Sequence, residues 1–116
     1  MSSRKWLFRL EDILGALERI HNYTQGMDLD HFKSDQRTID AVVRNLEIIG
    51  EAAKHIHNSI IQEYPCVPWK YMKGMRNILI HEYFGINSDI IWHTVRYDLP
   101  PLKSQLEKII REKISI

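Results

Sequence analysis

The stretch Ile39-Asp40-Ala41-Val42-Val43-Arg44-Asn45-Leu46-Glu47-Ile48-Ile49-Gly50-Glu51-Ala52-Ala53 decides the fold class. Its apolar residues Ile39, Val42, Val43, Leu46, Ile49 and Ala53 return at three- and four-residue steps, and the stripe continues through Ile56 and Ile60. Such near-heptad spacing gives a long helix one continuous apolar face. Ser34 is placed to cap its start, and the pattern predicts one helix running to about Ile61. On the opposite side Arg44, Glu47, Glu51, Lys54 and Asn58 form a polar stripe. A solvated, salt-bridged face explains that stripe, and so does a carboxylate turned toward a functional site.

Working outward, Leu7, Leu10, Ile13, Leu14, Leu17 and Ile20 predict an amphipathic helix from Trp6 to Tyr23, with Gly26 as its terminal glycine. Met27 to Lys33 reads as a short connector with room for one helical turn. The run Tyr64-Pro65-Cys66-Val67-Pro68 breaks the chain, and Pro68 suits the first turn of a helix from Trp69 to about Phe84, stopped by Gly85. Asn87 or Ser88 then caps a further segment, which meets Pro100-Pro101 and resumes to about Lys113. Strand-like alternation is absent. The expectation is an all-α, up-and-down bundle of four to five helices in one domain, residues 1–116.

Composition narrows the function. The chain has 116 residues, 44% of them hydrophobic and 27% charged, which excludes a disordered polar chain. No apolar run has the length of a membrane span. The single Cys66 cannot form an internal disulfide, so a cytoplasmic location is expected. With 16 Lys and Arg against 15 Asp and Glu, the net charge of +1 excludes coating of a polyanion by bulk electrostatics. Contact with nucleic acid would need a local patch.

Polar groups stand out of place in one segment, Gly74-Met75-Arg76-Asn77-Ile78-Leu79-Ile80-His81-Glu82-Tyr83-Phe84-Gly85. Arg76, His81 and Tyr83 lie among apolar residues. A guanidinium holds a phosphate bidentately and stays charged at any pH, and an imidazole exchanges a proton near neutrality. Those are two of the parts that phosphodiester cleavage requires. At about 100° per residue, however, His81 lies about 140° round the helix from Arg76. The two converge if the helix deforms, if the long arginine wraps round, or if a second copy of the chain faces the first across a two-fold axis.

Arg76-x4-His81-x-Tyr83 resembles the signature of the HEPN superfamily, in the extended form of its HepT-like toxins. The likeness spans about Lys5 to Ile109. It takes in Ala41 to Ala53, Pro68-Trp69 ahead of Gly74-Met75-Arg76-Asn77, His81 to Ile86, and Asp98-Leu99-Pro100. The resemblance implies a homodimeric, all-helical endoribonuclease without metal or other cofactor. It also implies a cognate minimal nucleotidyltransferase antitoxin that silences the toxin by transferring AMP to Tyr83. Arg76 and His81 would be catalytic, with Asn77 as support. Glu51, in the shared Gly-Glu-Ala block, is expected to orient Arg76 or His81. Lys70 and Lys73, at three-residue steps from Arg76, are candidate RNA-binding residues, and a solvated edge explains them equally well.

Other chemistries fit less well. A di-metal bundle needs two Glu-x-x-His pairs, and only Glu18 with His21 has that spacing. Cys66 has no histidine in register, and no glycine-rich phosphate loop is present. The remaining alternative is a non-catalytic module of the same type that docks a nucleotidyltransferase or a nucleotide.

Overall fold

The apolar stripes close on one another in the computed structural model, which describes residues 5–82 and 87–114, and of residues 77–82 the backbone alone. All secondary structure among the described residues is helical. The elements are α1 (Lys5–Thr24), α2 (Leu29–Lys33), α3 (Gln36–Ala53), α4 (Asn58–Glu63), α5 (Trp69–Glu82), α6 (Ser88–His93) and α7 (Leu99–Ile114). A π-helical segment, Thr94–Asp98, joins α6 to α7. The long helices α1, α3, α5 and α7 form the bundle that the periodicity predicts. No described helix is long and apolar enough to cross a membrane.

α3 is the centre of the fold, packed on α1 along one side and on α5 along another. Its buried Val42, Val43, Leu46 and Ile49 meet Leu10, Ile13, Leu17 and Ile20 of α1, Met72 and Met75 of α5, and Leu102, Leu106 and Ile109 of α7 in one cluster. Burying each such side chain contributes roughly 1.5–3 kcal/mol, so the stripe read in the sequence is the main source of stability. The register of α1 on α3 has a polar pin as well. Arg19 Nε donates to Asn45 Oδ1 at 2.7 Å, and Asn45 Nδ2 donates to the Ala41 carbonyl at 2.8 Å. Asn45 is buried, and both polar ends of its amide are satisfied. Arg19 meets Asn45 in the middle of α3 while the earlier Arg9 and Asp12 share a cavity with Glu51 and Ala52 near its end, so the two helices run antiparallel.

Three boundaries differ from the sequence reading. The long helix is capped by Asp35 rather than Ser34: Asp35 Oδ1 accepts from Thr38 N at 3.1 Å and Oδ2 from Thr38 Oγ1 at 2.8 Å. Those bonds hold the Asp35 carboxyl below the ordinary carboxylate value. Ser34 is used instead to close α2, its N–H donating to the carbonyls of Asp30 and His31.

The helix also ends at Ala53 and does not reach Ile61. His55 and Ile56 bond three residues back, to Ala52 and Ala53, which tightens the last turn. His57 Nδ1 then accepts from Ser59 N to cap α4. Ile56 and Ile60 stay buried across this break, so the apolar stripe outlives the helix that the pattern predicts. The turn lets α4 reach α7, where Tyr64 Oη donates to Glu112 Oε1 at 2.7 Å and Lys113 pairs with Glu63.

The third difference is at the two prolines, where no break occurs. Pro100 and Pro101 occupy the first turn of α7, directly after the π-helical segment. Proline lacks the N–H of a helix interior and crowds the preceding turn, and a wider turn just ahead relieves both effects. Gly26, at φ +80°, ends α1 as predicted, and Asn87 Oδ1 caps α6 by accepting from Asp89 N and Ile90 N.

Candidate functional site

Gly50 determines how closely α5 approaches α3. A Cβ at that position would lie 2.8 Å from the backbone nitrogen of Arg76, 3.0 Å from its Cβ and 3.3 Å from the Met72 carbonyl. Only glycine admits this contact without displacement. The approach brings the side chain of Arg76, which directly follows the buried Met75, against the polar edge of α3.

There Arg76 Nη1 lies 3.1 Å from Glu51 Oε1. Glu51 also faces Lys54 at 3.9 Å and His55 at 3.7 Å, the latter an ion pair only when the imidazole is protonated. The Arg76 and Glu51 side chains are 42% and 47% exposed, so the pair contributes at most about 1 kcal/mol to stability. Both side chains line a cleft of about 220 Å³ between α1, α3 and α5, together with Arg9, Asp12, Arg44 and Glu47, among others. Three guanidinium groups and three carboxylates converge there. The set can bind an anion while retaining acceptors for protons or hydroxyls.

The structure thus brings together Arg76 and Glu51 from the sequence-predicted set. Lys70 is exposed and Lys73 half-buried on α5, and neither lines the cleft. The side chains of Asn77 and His81, and the whole of Tyr83, lie outside the described residues. The α5 backbone is regular helix through Glu82, so His81 sits about 140° round its axis from Arg76. Asn58 opens α4 and has left the polar stripe of α3.

Sequence reasoning missed Arg9 and Asp12, which come from α1. Their spacing along α1 carries no sign of what they face, because that depends on the Arg19–Asn45 register. Among the described residues no group of three His, Cys, Asp or Glu is placed to hold a metal ion.

The family described as ribonuclease HepT-like matches residues 13–109. A protein of Thermococcus cleftensis named "Probable ribonuclease HepT" is 45% identical over 100 residues, covering 86% of this chain and 91% of that one. A candidate RNase of Methanocaldococcus jannaschii is 43% identical over 103 residues, 89% of each chain. The "mRNA nuclease HepT" of Shewanella oneidensis is 28% identical over 109 residues, covering 73% of this chain and 82% of that one. No solved structure matches. With the family match running from residue 13 to residue 109, across most of the helical bundle, the chain belongs to the ribonuclease HepT-like family.

Proposed function

We propose that the chain is the endoribonuclease toxin of a toxin–antitoxin pair and that it cleaves RNA from the cleft around Arg76. The observation that supports this most directly is the 3.1 Å contact between Arg76 and Glu51, which holds a guanidinium ready at the edge of a cleft in a HepT-like chain. RNA carries its own nucleophile, so the protein has only to move protons and stabilise charge. The 2′-OH attacks the adjacent phosphorus; the O2′–P bond forms and the P–O5′ bond breaks, leaving a 2′,3′-cyclic phosphate and a free 5′-OH. A proton leaves O2′ and one is delivered to O5′.

In this mechanism Arg76 stabilises the charge that develops on the phosphorane oxygens, and His81 transfers the proton. Asn77 supports the pair and Glu51 orients the guanidinium. Lys70 and Lys73 would hold RNA beyond the cleft. One imidazole cannot readily serve as both base and acid in a single event, and the 140° separation keeps it off the Arg76 face of its own helix. A homodimer with two facing α5 helices answers both points, each copy supplying the histidine that the other lacks. Transfer of AMP to Tyr83 by a cognate nucleotidyltransferase would place an anion beside Arg76 and occupy it, which silences the toxin.

The test is cleavage of RNA by the purified chain and by His81→Ala. The variant should remain a dimer, keep its melting temperature and lose cleavage. Full activity in His81→Ala would overturn the assignment.

A further inference from the structure

A second open cavity, of about 490 Å³, adjoins the Arg76 cleft and is lined by Lys5, Phe8, Arg9, Asp12 and His55. Arg9 and Asp12 line both spaces, so the two form one continuous trough. Lys5, Phe8, Arg9 and Asp12 stand at i, i+3, i+4 and i+7 on α1, one face of that helix over about 10 Å. Arg44, Glu47 and Glu51 repeat the spacing on α3, the opposite wall. Because α1 and α3 are antiparallel, the trough leads from Arg76 past Arg9 to the first turn of α1.

Charge and exposure are uneven along this path. Glu51 is engaged by Arg76, Lys54 and His55. Arg9 and Arg44 form no ion pair within 4 Å among the described residues, although Asp12 and Glu47 share their cavity. Phe8 is 62% exposed, although its helix buries Leu10, Ile13 and Leu17. One exposed phenylalanine is unremarkable by itself. Here it stands between two cations, Lys5 and Arg9, in a trough that ends at a guanidinium aimed for catalysis.

We propose that this trough carries the single-stranded RNA flanking the cleaved phosphodiester, with Arg44 and Arg9 on backbone phosphates and Phe8 stacking on one unpaired base. The proposal rests on the ribonuclease reading above and adds the class of substrate: an unpaired strand, because only a splayed base presents its face to Phe8. Four cations, Lys5, Arg9, Arg44 and Arg76, stand against three carboxylates, Asp12, Glu47 and Glu51. Binding by so balanced a trough depends on stacking and a few placed phosphates, which suits a chain with a net charge of +1.

The test is anisotropy of a labelled, unstructured oligoribonucleotide on the full chain carrying His81→Ala, alone and combined with Phe8→Ala, Arg9→Gln or Lys108→Gln. Loss of one stacked base should weaken binding roughly five- to 150-fold in the Phe8→Ala variant. Arg9→Gln should lower the slope of log affinity against log salt by about 0.7, one single-strand phosphate contact. Lys108→Gln, exposed on α7, should match the parent, and a duplex of the same sequence should bind without sensitivity to Phe8. Unchanged affinity in both trough variants, with cleavage by the natural chain intact, would overturn the trough and leave the ribonuclease reading standing. A natural chain that cleaves no RNA would overturn that reading and the trough with it. A changed sedimentation coefficient in Phe8→Ala with unchanged RNA affinity would assign this face to a second copy of the chain and overturn the proposal.

Discussion

Replacing Gly50 with alanine tests the link between packing and site, and Gly74→Ala is its internal control. Both glycines lie inside long helices, so each substitution gains about 1 kcal/mol from helix propensity. They differ in what a Cβ meets. At Gly74 nothing lies within 4 Å, whereas at Gly50 the new carbon would be 2.8 Å from the Arg76 backbone nitrogen. Backbone atoms cannot swing aside as the end of a side chain can, so α5 must move off α3, and overpacking of that kind costs about 1–3 kcal/mol.

A chain of 116 residues has an unfolding entropy of roughly 0.24 kcal/mol/K, so each kcal/mol moves the melting temperature by about 4 °C. Gly74→Ala should therefore melt about 4 °C higher than the natural chain. Gly50→Ala should melt about 4–12 °C below Gly74→Ala. Calorimetry measures both, and single-turnover cleavage should fall in Gly50→Ala, because the displaced helix carries Arg76. Equal melting temperatures for the two variants, with cleavage intact, would refute the reasoning that a close backbone approach sets the position of this arginine.

Glu51→Ala should change the melting temperature by no more than about 4 °C, since the pair with Arg76 is half-exposed, yet reduce single-turnover cleavage by up to about 100-fold. Glu51→Gln, which keeps an acceptor, should recover part of that rate in the same assay. Asn45→Ala should cost about 0.5–1.5 kcal/mol in denaturant unfolding, because it removes the part-buried bond to Arg19, whose exposed guanidinium water can then serve. Tyr64 is raised to about 12 by burial and by its hydrogen bond to Glu112. The folded state thus holds this proton more tightly than the unfolded chain, whose tyrosine titrates near 10. The resulting stability is complete below about pH 10 and is lost as pH rises toward 12, so the melting temperature of Tyr64→Phe should fall less over that window.

The core was legible in the sequence because burial follows periodicity. Ile39, Val42, Val43, Leu46 and Ile49 are buried as their spacing requires, and so are Ile56 and Ile60 beyond the break. The break itself was not legible. It depends on two bonds that reach three residues back, and on a histidine capping α4, and these differ little in composition from a continuing turn. Ser34 and Asp35 are adjacent residues that both cap well, and the choice between them was made by α2, the helical turn for which the connector had room, because Ser34 closes it. Glu51 could be named as the partner of Arg76 from its place in a family block. Arg9 and Asp12 could not, because they enter the cleft through the Arg19–Asn45 register, between two polar residues that look like surface positions.

That contrast bears on how the site works. The ion pair at Arg76 is too exposed to hold the helices together, at no more than about 1 kcal/mol, so the position of the arginine comes from the core and from the absent Cβ of Gly50. An arginine locked in a deeply buried pair would surrender its carboxylate to an incoming anion only at a cost of several kcal/mol. Here the exchange costs at most about 1 kcal/mol, while a charge-assisted hydrogen bond to a phosphate returns about 1.5–3 kcal/mol. On the ribonuclease reading proposed above, Glu51 would hold the guanidinium aimed while the cleft is empty and would yield it when a phosphate arrives. On that reading the half-exposure of the pair, which makes it a poor stabiliser of the fold, is the property that would let it serve a reaction.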